Sequence, residues 1–426
     1  MKSLIIKGAK VIDIINKDFY KKDVLVEGGK IKLISKNIKK KNSRCKIIDA
    51  QGLYLFPGFI DLHCHIREPG REDKESIKTA SLSAQWGGFT TILSMPNTEV
   101  CLDTPEKISS FVNAVKSDST INIYPCGALT QGRKGQKICE YALMMKEGAL
   151  AFSDDGNWIE DSSVMMLALN YLSSLGGLCI SHCEDAKLTW GPGRDDLLSF
   201  KLGLLPFFEL SESLSVSRDI HIASFLKARL HLTHISTGSS LEIIKKAKVQ
   251  KFISCDTCPH YLILDNSYLE DFNTNFKVNP PLPSEKDRKT LIKGLKEGVI
   301  DCITTDHAPH TLEEKESSFL DAPSGMIGLQ TLFGLCFKYL VEEGLIDIFT
   351  LIEKITINPA RILKMDSKGV IEEGKDADLV LVDLNEEFIF REQDILSSSK
   401  NTPFVGWRLK GKVKYTICGG DVVYKE

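Results

Sequence analysis

Eight short apolar runs divide the middle of this 426-residue chain, and their spacing restricts the fold more than any other feature. The runs lie at residues 55–65, 90–95, 121–128, 148–155, 178–184, 230–236, 252–260 and 301–310. Most segments between them carry apolar residues at helical spacing, as in ESIKTASLSAQWG at 75–87 and DSSVMMLALNYLSSLGG at 161–177. Strands that alternate eight times with helices predict a (β/α)8 barrel, which we assign to residues 55–365.

The two ends of the chain follow a different pattern. Residues 1–54 and 366–426 hold short alternating segments separated by glycine turns, such as DADLVLVDL and VKYTICGG in the second of these segments. We expect both ends to form one small composite β-sandwich domain. The basic stretch at 37–46 is short and lacks interleaved aromatic residues, so a solvated hairpin is favoured there over a nucleic-acid site.

The composition favours chemistry on small molecules. The chain has 54 basic and 57 acidic residues, and its net charge of -3 gives no electrostatic reason to expect a nucleic-acid or membrane partner. The opening MKSLIIKGAKVIDI alternates like a strand, unlike a signal peptide, and no run approaches the ~18 apolar residues of a spanning helix. The twelve scattered cysteines are typical of free thiols. We therefore expect a cytoplasmic protein.

The stretch FIDLHCHIREPG, residues 59–70, sets two histidines at the end of the first run. Alternate residues of a strand face one side, so His63 and His65 are expected to point the same way. An isolated pair of this kind is more often a pair of surface or core histidines. Here, however, further histidines also fall at the ends of runs: His182, His234, His260, His307 and His310.

Barrel enzymes place their active sites at the carboxyl ends of the strands, where these histidines are predicted to gather. Imidazole nitrogens together with a carboxylate suit Zn²⁺, which keeps a coordination position open for water in catalytic sites. The pattern therefore indicates a hydrolytic metal centre at this end of the barrel.

Six motifs occur in a characteristic order: PGFIDLHCHIREPG at 57–70, MPNT at 95–98, AFSDDG at 151–156, SHCED at 181–185, FKVNPPL at 276–282 and TDHAPH at 305–310. Together they resemble the amidohydrolase superfamily and, within it, the dihydroorotases of the bacterial type. The resemblance extends to GKDADLVLVDL at 374–384 and so covers almost the whole chain. It implies reversible hydrolysis of (S)-dihydroorotate to N-carbamoyl-L-aspartate, a step of de novo pyrimidine synthesis.

The resemblance also implies a set of metal ligands and Zn²⁺ as the cofactor, with one or two ions per chain. The implied ligands are His63, His65, Asp155, His182, His234 and Asp306. Asp155 occupies the place of a metal-bridging carboxylate, and Asp306 that of the general base. Many relatives bridge their metals with a carboxylated lysine, but AFSDDG contains none, and the nearest lysine, Lys146, precedes the strand.

Arg67 follows His65 by two positions and is therefore expected on the same side of the chain. Its planar guanidinium can bind a carboxylate through two hydrogen bonds, and dihydroorotate carries such a group. The alternative is a surface ion pair with Glu68 or Glu72. The resemblance implies that further residues contact the substrate: His65, Asn97, Asn279, His310, Ser324 and Gly325. His260 is expected to support the site rather than to bind metal.

Two other functions stay open at this point. A hydantoinase or an allantoinase would also hydrolyse a cyclic amide, but it predicts a lysine bridge and no arginine beside the histidine pair. A catalytically silent subunit that supports an aspartate transcarbamoylase partner is expected to lose metal ligands. We also expect a homo-oligomer, and an association with aspartate transcarbamoylase is left open. Residues 187–212 are a candidate subunit contact, and residues 310–326 are a candidate lid.

Overall fold

The computed structural model of this chain describes residues 3–39 and 45–426. Part of the hairpin predicted at 37–46 therefore lies outside the described residues. The strands are β1 (Ser3–Asp13), β2 (Asp18–Glu27), β3 (Lys30–Ser35), β4 (Cys45–Asp49), β5 (Tyr54–Pro57), β6 (Phe59–Cys64), β7 (Phe89–Ser94), β8 (Asn122–Ala128), β9 (Ala151–Ser153), β10 (Leu178–Ser181), β11 (Gly193–Arg194), β12 (Pro206–Phe207), β13 (Arg229–Leu232), β14 (Ile253–Thr257), β15 (Cys302–Ile303), β16 (Leu379–Ile389), β17 (Arg408–Cys418) and β18 (Asp421–Lys425).

The α-helices lie between the barrel strands, in the connection after β10, and after β15. They are α1 (Ile77–Gly87), α2 (Pro105–Asp118), α3 (Tyr141–Lys146), α4 (Ser162–Leu175), α5 (Leu197–Lys201), α6 (Glu209–Leu226), α7 (Gly238–Ala247), α8 (Pro259–Ile263), α9 (Glu285–Lys296), α10 (Leu312–Lys315), α11 (Leu332–Cys336), α12 (Ile348–Ile355) and α13 (Ile357–Ile362). In the part of the chain described, no helix has the length and apolar character needed to cross a membrane.

The eight predicted runs form one parallel sheet in the order β6-β7-β8-β9-β10-β13-β14-β15. Its two edges meet where the backbone N–H of His65 donates to the carbonyl of His307 over 2.8 Å, and Cys64 and His307 form a parallel bridge. This contact nearly closes the sheet into a barrel. The predicted (β/α)8 architecture is therefore confirmed.

Two of the predicted helices show why their sequences begin and end where they do. The Ser76 side chain accepts from the backbone N–H of Thr79 and so caps α1. Asp161 caps α4 in the same way through Ser163, and Gly176 ends that helix with a φ of 66°. Both helices bury one face against the barrel strands, which leaves the strand ends free to carry functional side chains.

The two ends of the chain combine in one sheet of the order β18-β17-β16-β5-β1-β2-β3, with β4 beside β1. β5 joins them, because it pairs with β1 on one side and with β16 on the other. The prediction that both termini build one small β unit is confirmed. Gly58 separates β5 from the barrel, and a Cβ atom there would lie 2.1 Å from Thr90 Oγ1, so the chain needs glycine at this crossing.

Two long connections lie outside both sheets. Residues 187–212 contain the short strands β11 and β12 and helix α5, and they expose Trp190 and Phe200, the latter to 81%. The connection between β16 and β17 instead returns to the barrel, where the backbone N–H of Leu396 donates to Gln330 Oε1 over 2.8 Å. This second connection reaches the same end of the barrel as the candidate site.

Candidate active site

The six candidate metal ligands lie at the carboxyl ends of barrel strands, each in the strand or within three residues after it. His63 belongs to β6 and His65 directly follows it, Asp155 follows β9, His182 follows β10, His234 follows β13, and Asp306 follows β15. All six are buried. The parallel ladder therefore brings together residues that are up to 243 positions apart.

Asp155 stands between two pairs of histidines. Its Oδ2 atom lies 3.2 Å from His63 Nε2 and 3.5 Å from His65 Nε2. Its other oxygen, Oδ1, lies 3.2 Å from His182 Nδ1 and 3.2 Å from His234 Nε2. One carboxylate thus faces both pairs, one oxygen to each, as a bridging ligand would.

Asp306 completes the group around the first pair. Its Oδ1 atom lies 3.0 Å from His65 Nε2 and 3.5 Å from His63 Nε2. Asp306 and His234 both have a positive φ, 46° and 42°, a left-handed conformation that residues other than glycine rarely adopt. Such backbone strain concentrates at functional sites, where the surrounding structure holds it in place.

Three of the four histidines direct a nitrogen lone pair toward the carboxylates. Thr233 Oγ1 donates to Asp256, so it accepts from the His63 Nδ1–H group, 2.6 Å away, and in the neutral ring the lone pair is on His63 Nε2. The Nδ1–H of His65 donates to Asn97 Oδ1 over 2.8 Å, which likewise leaves Nε2 bare. Nitrogen and carboxylate lone pairs that converge in this way need a cation between them.

His182 follows the same rule with its nitrogens exchanged. Its Nε2–H donates to Glu184 Oε2 over 2.9 Å, so its Nδ1 lone pair faces Asp155. Glu184 also accepts from Asn279 Nδ2 over 2.9 Å. Glu184 therefore orients one candidate ligand and one candidate substrate contact at once.

The donor set fits a divalent metal of the zinc type. Zinc bonds of about 2.0–2.2 Å in a tetrahedron require neighbouring ligand atoms to lie roughly 3.3–3.6 Å apart. The separations between donors here run from 3.0 to 3.5 Å. The donor atoms of His63, His65 and Asp306, and those of His63, Asp155 and His234, form two groups compact enough to hold an ion. Imidazole nitrogens and carboxylate oxygens are also ligand atoms that suit a zinc-type ion.

The charges of the site also favour a cation. Burial alone would raise the pKa of Asp155, but His63, His182 and His234 hold it well below its usual range. Burial would likewise lower the pKa of His63, but Asp155 and Asp306 raise it to about 9. Without a metal ion, the carboxylates therefore draw a proton onto His63, and a metal ion would replace that proton.

The far end of the cleft is cationic. Arg67 is half-buried, and in the part of the chain described the one hydrogen bond of its side chain joins Nε to the carbonyl of Pro309 over 3.2 Å. Burial lowers the pKa of Arg67 to about 10, so the guanidinium stays charged near neutral pH. Glu68 and Glu72, its alternative partners, instead accept from the backbone N–H groups of Ile77 and Gly70.

The sequence-predicted residues meet in one cleft of about 290 Å³. The candidate metal ligands and substrate contacts that line this cleft are all of those predicted except the fully buried His63: His65, Arg67, Asn97, Asp155, His182, His234, Asn279, Asp306, His310, Ser324 and Gly325. Gly156 and Ala308 complete the lining. The cationic end of the cleft, which contains Arg67, therefore faces the cluster of candidate metal ligands across a space suited to a small molecule.

His260 lies beside this cleft. Its ring and the Cys258 thiol lie close enough to Asp306 for their donor atoms to share an ion. Within residues 3–39 and 45–426, His260 Nε2 has no hydrogen-bond partner. Burial lowers the pKa of His260 to about 4, so its ring is neutral near pH 7.

Sequence reasoning assigned no role to several residues around the ligands. Glu184 offered a signal, because it follows His182 by two positions, the spacing of the first histidine pair. Asp256 offered none, although it accepts from the side chain of Thr233, the backbone N–H of His234 and the ring of His231. Such residues are recognised only once neighbouring strands are in place.

Comparison with known proteins agrees with this geometry. The dihydro-orotase-like family matches residues 52–240, and the amidohydrolase family matches residues 207–423. A dihydroorotase from Acetivibrio thermocellus is 42% identical over 425 residues, which cover 99% of each chain. A dihydroorotase from Aquifex aeolicus is 42% identical over 428 residues, which cover both chains completely.

A solved structure shares the fold at lower identity. The L-hydantoinase (dihydropyrimidinase) from Arthrobacter aurescens matches with a TM-score of 0.89 and 23% sequence identity, over 100% of this chain and 96% of that one. At this identity the likeness shows the common architecture alone.

Proposed function

Because this chain belongs to the dihydroorotase family of amidohydrolases, we propose that it interconverts (S)-dihydroorotate and N-carbamoyl-L-aspartate in pyrimidine synthesis. One observation carries the proposal. The cluster of histidine and aspartate donors lies at one end of a small cleft, and Arg67 lies at the other. A substrate with a ring amide and a carboxylate matches both ends.

Zn²⁺ is the ion that we propose for this site, held by His63, His65 and Asp306 and, through Asp155, by His182 and His234. When bound, it would lower the pKa of a water molecule from 15.7 toward ~7 and polarise the ring carbonyl. Three orienting contacts support this assignment: Thr233 with His63, Asn97 with His65, and Glu184 with His182. Partners of this kind commonly fix the tautomers of metal-binding histidines.

Asp306 is the proposed general base. The His65 contact and the nearby His63 charge keep the pKa of Asp306 well below its usual range despite burial, so the carboxylate is ionised near neutral pH. In hydrolysis, Asp306 takes a proton from the attacking water as the new C–O bond forms. It then gives that proton to the ring nitrogen as the C–N bond breaks. Ring closure runs the same transfers in reverse.

Arg67 is the proposed anchor of the substrate carboxylate. Its terminal nitrogens are available for a bidentate pair, since the Pro309 carbonyl takes only Nε. We propose that Asn97 and His310 assist it and that Asn279, Ser324 and Gly325 line the ring. We propose that His65 contacts both metal and substrate. With Arg67 at one end of the cleft and the metal ligands at the other, the site matches the distance between the carboxylate and the reacting amide of the substrate.

A hydrolysis assay with metal analysis tests the proposal. The purified chain is expected to hydrolyse dihydroorotate, to lose activity with a chelator, and to regain it with Zn²⁺. Metal analysis should find one or two ions per chain. Hydantoin and allantoin serve as competing substrates, because both are cyclic amides without a ring carboxylate. Faster turnover of either one would contradict the proposed function.

A further inference from the structure

The loops at the cationic end contact a segment that lies outside the barrel. His310 lies in the loop after β15, Ser324 and Gly325 lie in the segment after α10, and Lys74 lies in the loop after β6. Loops that leave a barrel are more mobile than the strands that carry them. A connection from the terminal sheet, residues 394–402, lies against all three of these loops, and we call it the strap.

Asn401 makes the central contacts of the strap. It is 5% exposed. Its Oδ1 atom accepts from the backbone N–H of His310 over 3.0 Å. Its Nδ2 atom donates to the carbonyls of Ala308 over 3.0 Å and Gly325 over 3.1 Å. The side-chain amide thus uses both of its donor hydrogens and its acceptor on the backbone of two loops.

The two loops are close enough for small shifts to matter. A Cβ atom at Gly325 would lie 2.7 Å from the Cβ atom of Ala308, and Gly325 has a φ of 136°. The ring of His310 spans the same gap, because its Nε2–H donates to the Ser324 carbonyl over 2.9 Å. The backbone N–H of Ala308 also donates to the Met326 carbonyl over 2.9 Å. Asn401 therefore adds its three hydrogen bonds to this backbone contact in holding the loops between which the carboxylate end of a substrate would lie.

Other strap residues hold the third loop and fix the strap itself. Ser399 Oγ donates to the Lys74 carbonyl over 2.8 Å. The buried Glu75 accepts from Ser397 Oγ and, over 2.9 Å, from His307 Nε2. Lys74 in turn pairs with Glu314 over 2.7 Å, beside the His310 ring. The strap thus contacts the loop after β6 as well as the loop after β15 at the cationic end of the cleft.

We infer that Asn401 is a positioning residue for recognition of the substrate carboxylate. It acts through the backbone of His310, Ala308 and Gly325 and does not line the cleft. The inference rests on the proposed function, since it concerns how the carboxylate end of that site is held. It assigns to the segment between β16 and β17 a part in substrate binding.

The test compares three variants of the full, zinc-loaded chain. Asn401→Asp keeps the acceptor for His310 but turns a carboxylate oxygen toward two carbonyls. We expect KM for dihydroorotate to rise at least about tenfold with kcat within about threefold of native. Asn401→Ser keeps a single donor and should give a smaller rise. Lys400→Ala removes an exposed neighbour that pairs with Glu392 at the surface, and it should match the native chain.

Metal content and thermal unfolding accompany the kinetics and separate the outcomes. Unchanged metal content with a selective rise in KM supports the inference. Equal losses in kcat and metal content, or a native KM in both Asn401 variants, would overturn it. If Asn401→Asp does not fold, Asn401→Ser decides on the same criteria. Failure of the native chain to turn over dihydroorotate would instead refute the proposed function.

Discussion

The metal-ligand end of the cleft is built from residues in or within three positions of a barrel strand, whereas the cationic end combines Arg67, three positions after β6, with loops that distant segments hold. Asp155 and the four histidines take their positions from strands that hydrogen-bond to one another. The backbones of His310 and Gly325 instead hydrogen-bond to the side chain of Asn401, which lies 91 and 76 positions away in the chain. The two ends therefore depend on different parts of the molecule.

This difference has a consequence for how each end responds to change. Strand ends are held by many backbone hydrogen bonds, so a single substitution there alters chemistry more than geometry. Loops held by a few side-chain contacts are expected to lose geometry first. Substitutions at the metal end should therefore lower kcat, and those at the cationic end should mainly raise KM.

The largest effect is expected at the metal end, for Asp306→Asn. The amide keeps the volume of the side chain but cannot accept the proton, so kcat should fall by about 10²–10⁴. Steady-state kinetics and metal analysis on the same preparation measure this loss. Asp321→Asn, an exposed aspartate in the candidate lid, is the matched control and should retain native kcat. Native turnover by Asp306→Asn with its metal retained would exclude the general-base role.

Arg67→Met probes the cationic end. The loss of a charge-assisted pair, about 1.5–3 kcal/mol, should lower kcat/KM for dihydroorotate by roughly 10- to 150-fold. The kcat/KM of Arg67→Lys for dihydroorotate should lie between those of the native chain and Arg67→Met, because lysine keeps the charge but lacks the planar guanidinium. Dihydrouracil lacks the carboxylate, so it should be a poor substrate of the native chain. Its kcat/KM should fall little further in Arg67→Met. A proportionate drop for both compounds would show that Arg67 only supports the structure.

Thr233→Val tests whether the barrel strands alone orient His63 at the metal end, or whether a side-chain contact from another strand is also needed. The change removes the hydroxyl that accepts from His63 Nδ1 over 2.6 Å while it preserves shape. Zinc affinity should fall by about 10–100-fold, the usual effect of losing an orienting partner. Competition with a chromogenic chelator measures it. Undiminished affinity would mean that the ladder alone orients His63.

The barrel and the metal-ligand cluster could both be predicted because each depends on patterns within short stretches of sequence. Alternating strands and helices indicate the architecture, and a histidine at the end of a strand is already near the site in any barrel. The pair His63 and His65 shows this best, since i, i+2 spacing alone puts both rings on one side. Asp155 required the resemblance, because an aspartate pair in a loop has many other uses.

The support of the cationic end could not be predicted in the same way. Nothing near Asn401, in the stretch SSSKNT at 397–402, indicates a partner on the barrel. The strap lies between two strands of the terminal sheet, and its contacts exist only once that sheet packs on the barrel. Asp256 escaped prediction for a related reason, because its partners Thr233 and His231 lie on the neighbouring strand and its end.

The smallest expected effect concerns Lys315, the last residue of α10, which lies beside the loops of the cationic end. It is buried, and its Nζ donates to the Pro323 carbonyl over 2.9 Å. Burial, reinforced by the positive charge of Lys277, lowers the pKa of Lys315 to about 7, while Glu314 opposes the shift. A lysine in an unfolded chain has a pKa of about 10.4. Between these two values the unfolded chain holds more protons.

The free energy of unfolding should therefore rise with pH between about 7 and 10 through this group. Below pH 7 both states carry the proton, and the cost of the buried charge is fully present. Lys315→Met removes the titrating group, so the native chain should gain stability relative to this variant as pH rises across that window. Urea titrations at pH 6, 7, 8 and 9 measure the difference, with Lys400→Met as the exposed control. A native-to-variant difference that stays constant from pH 6 to 9 would show that Lys315 has an ordinary affinity for its proton, and that the loops of the cationic end admit more water than their contacts indicate.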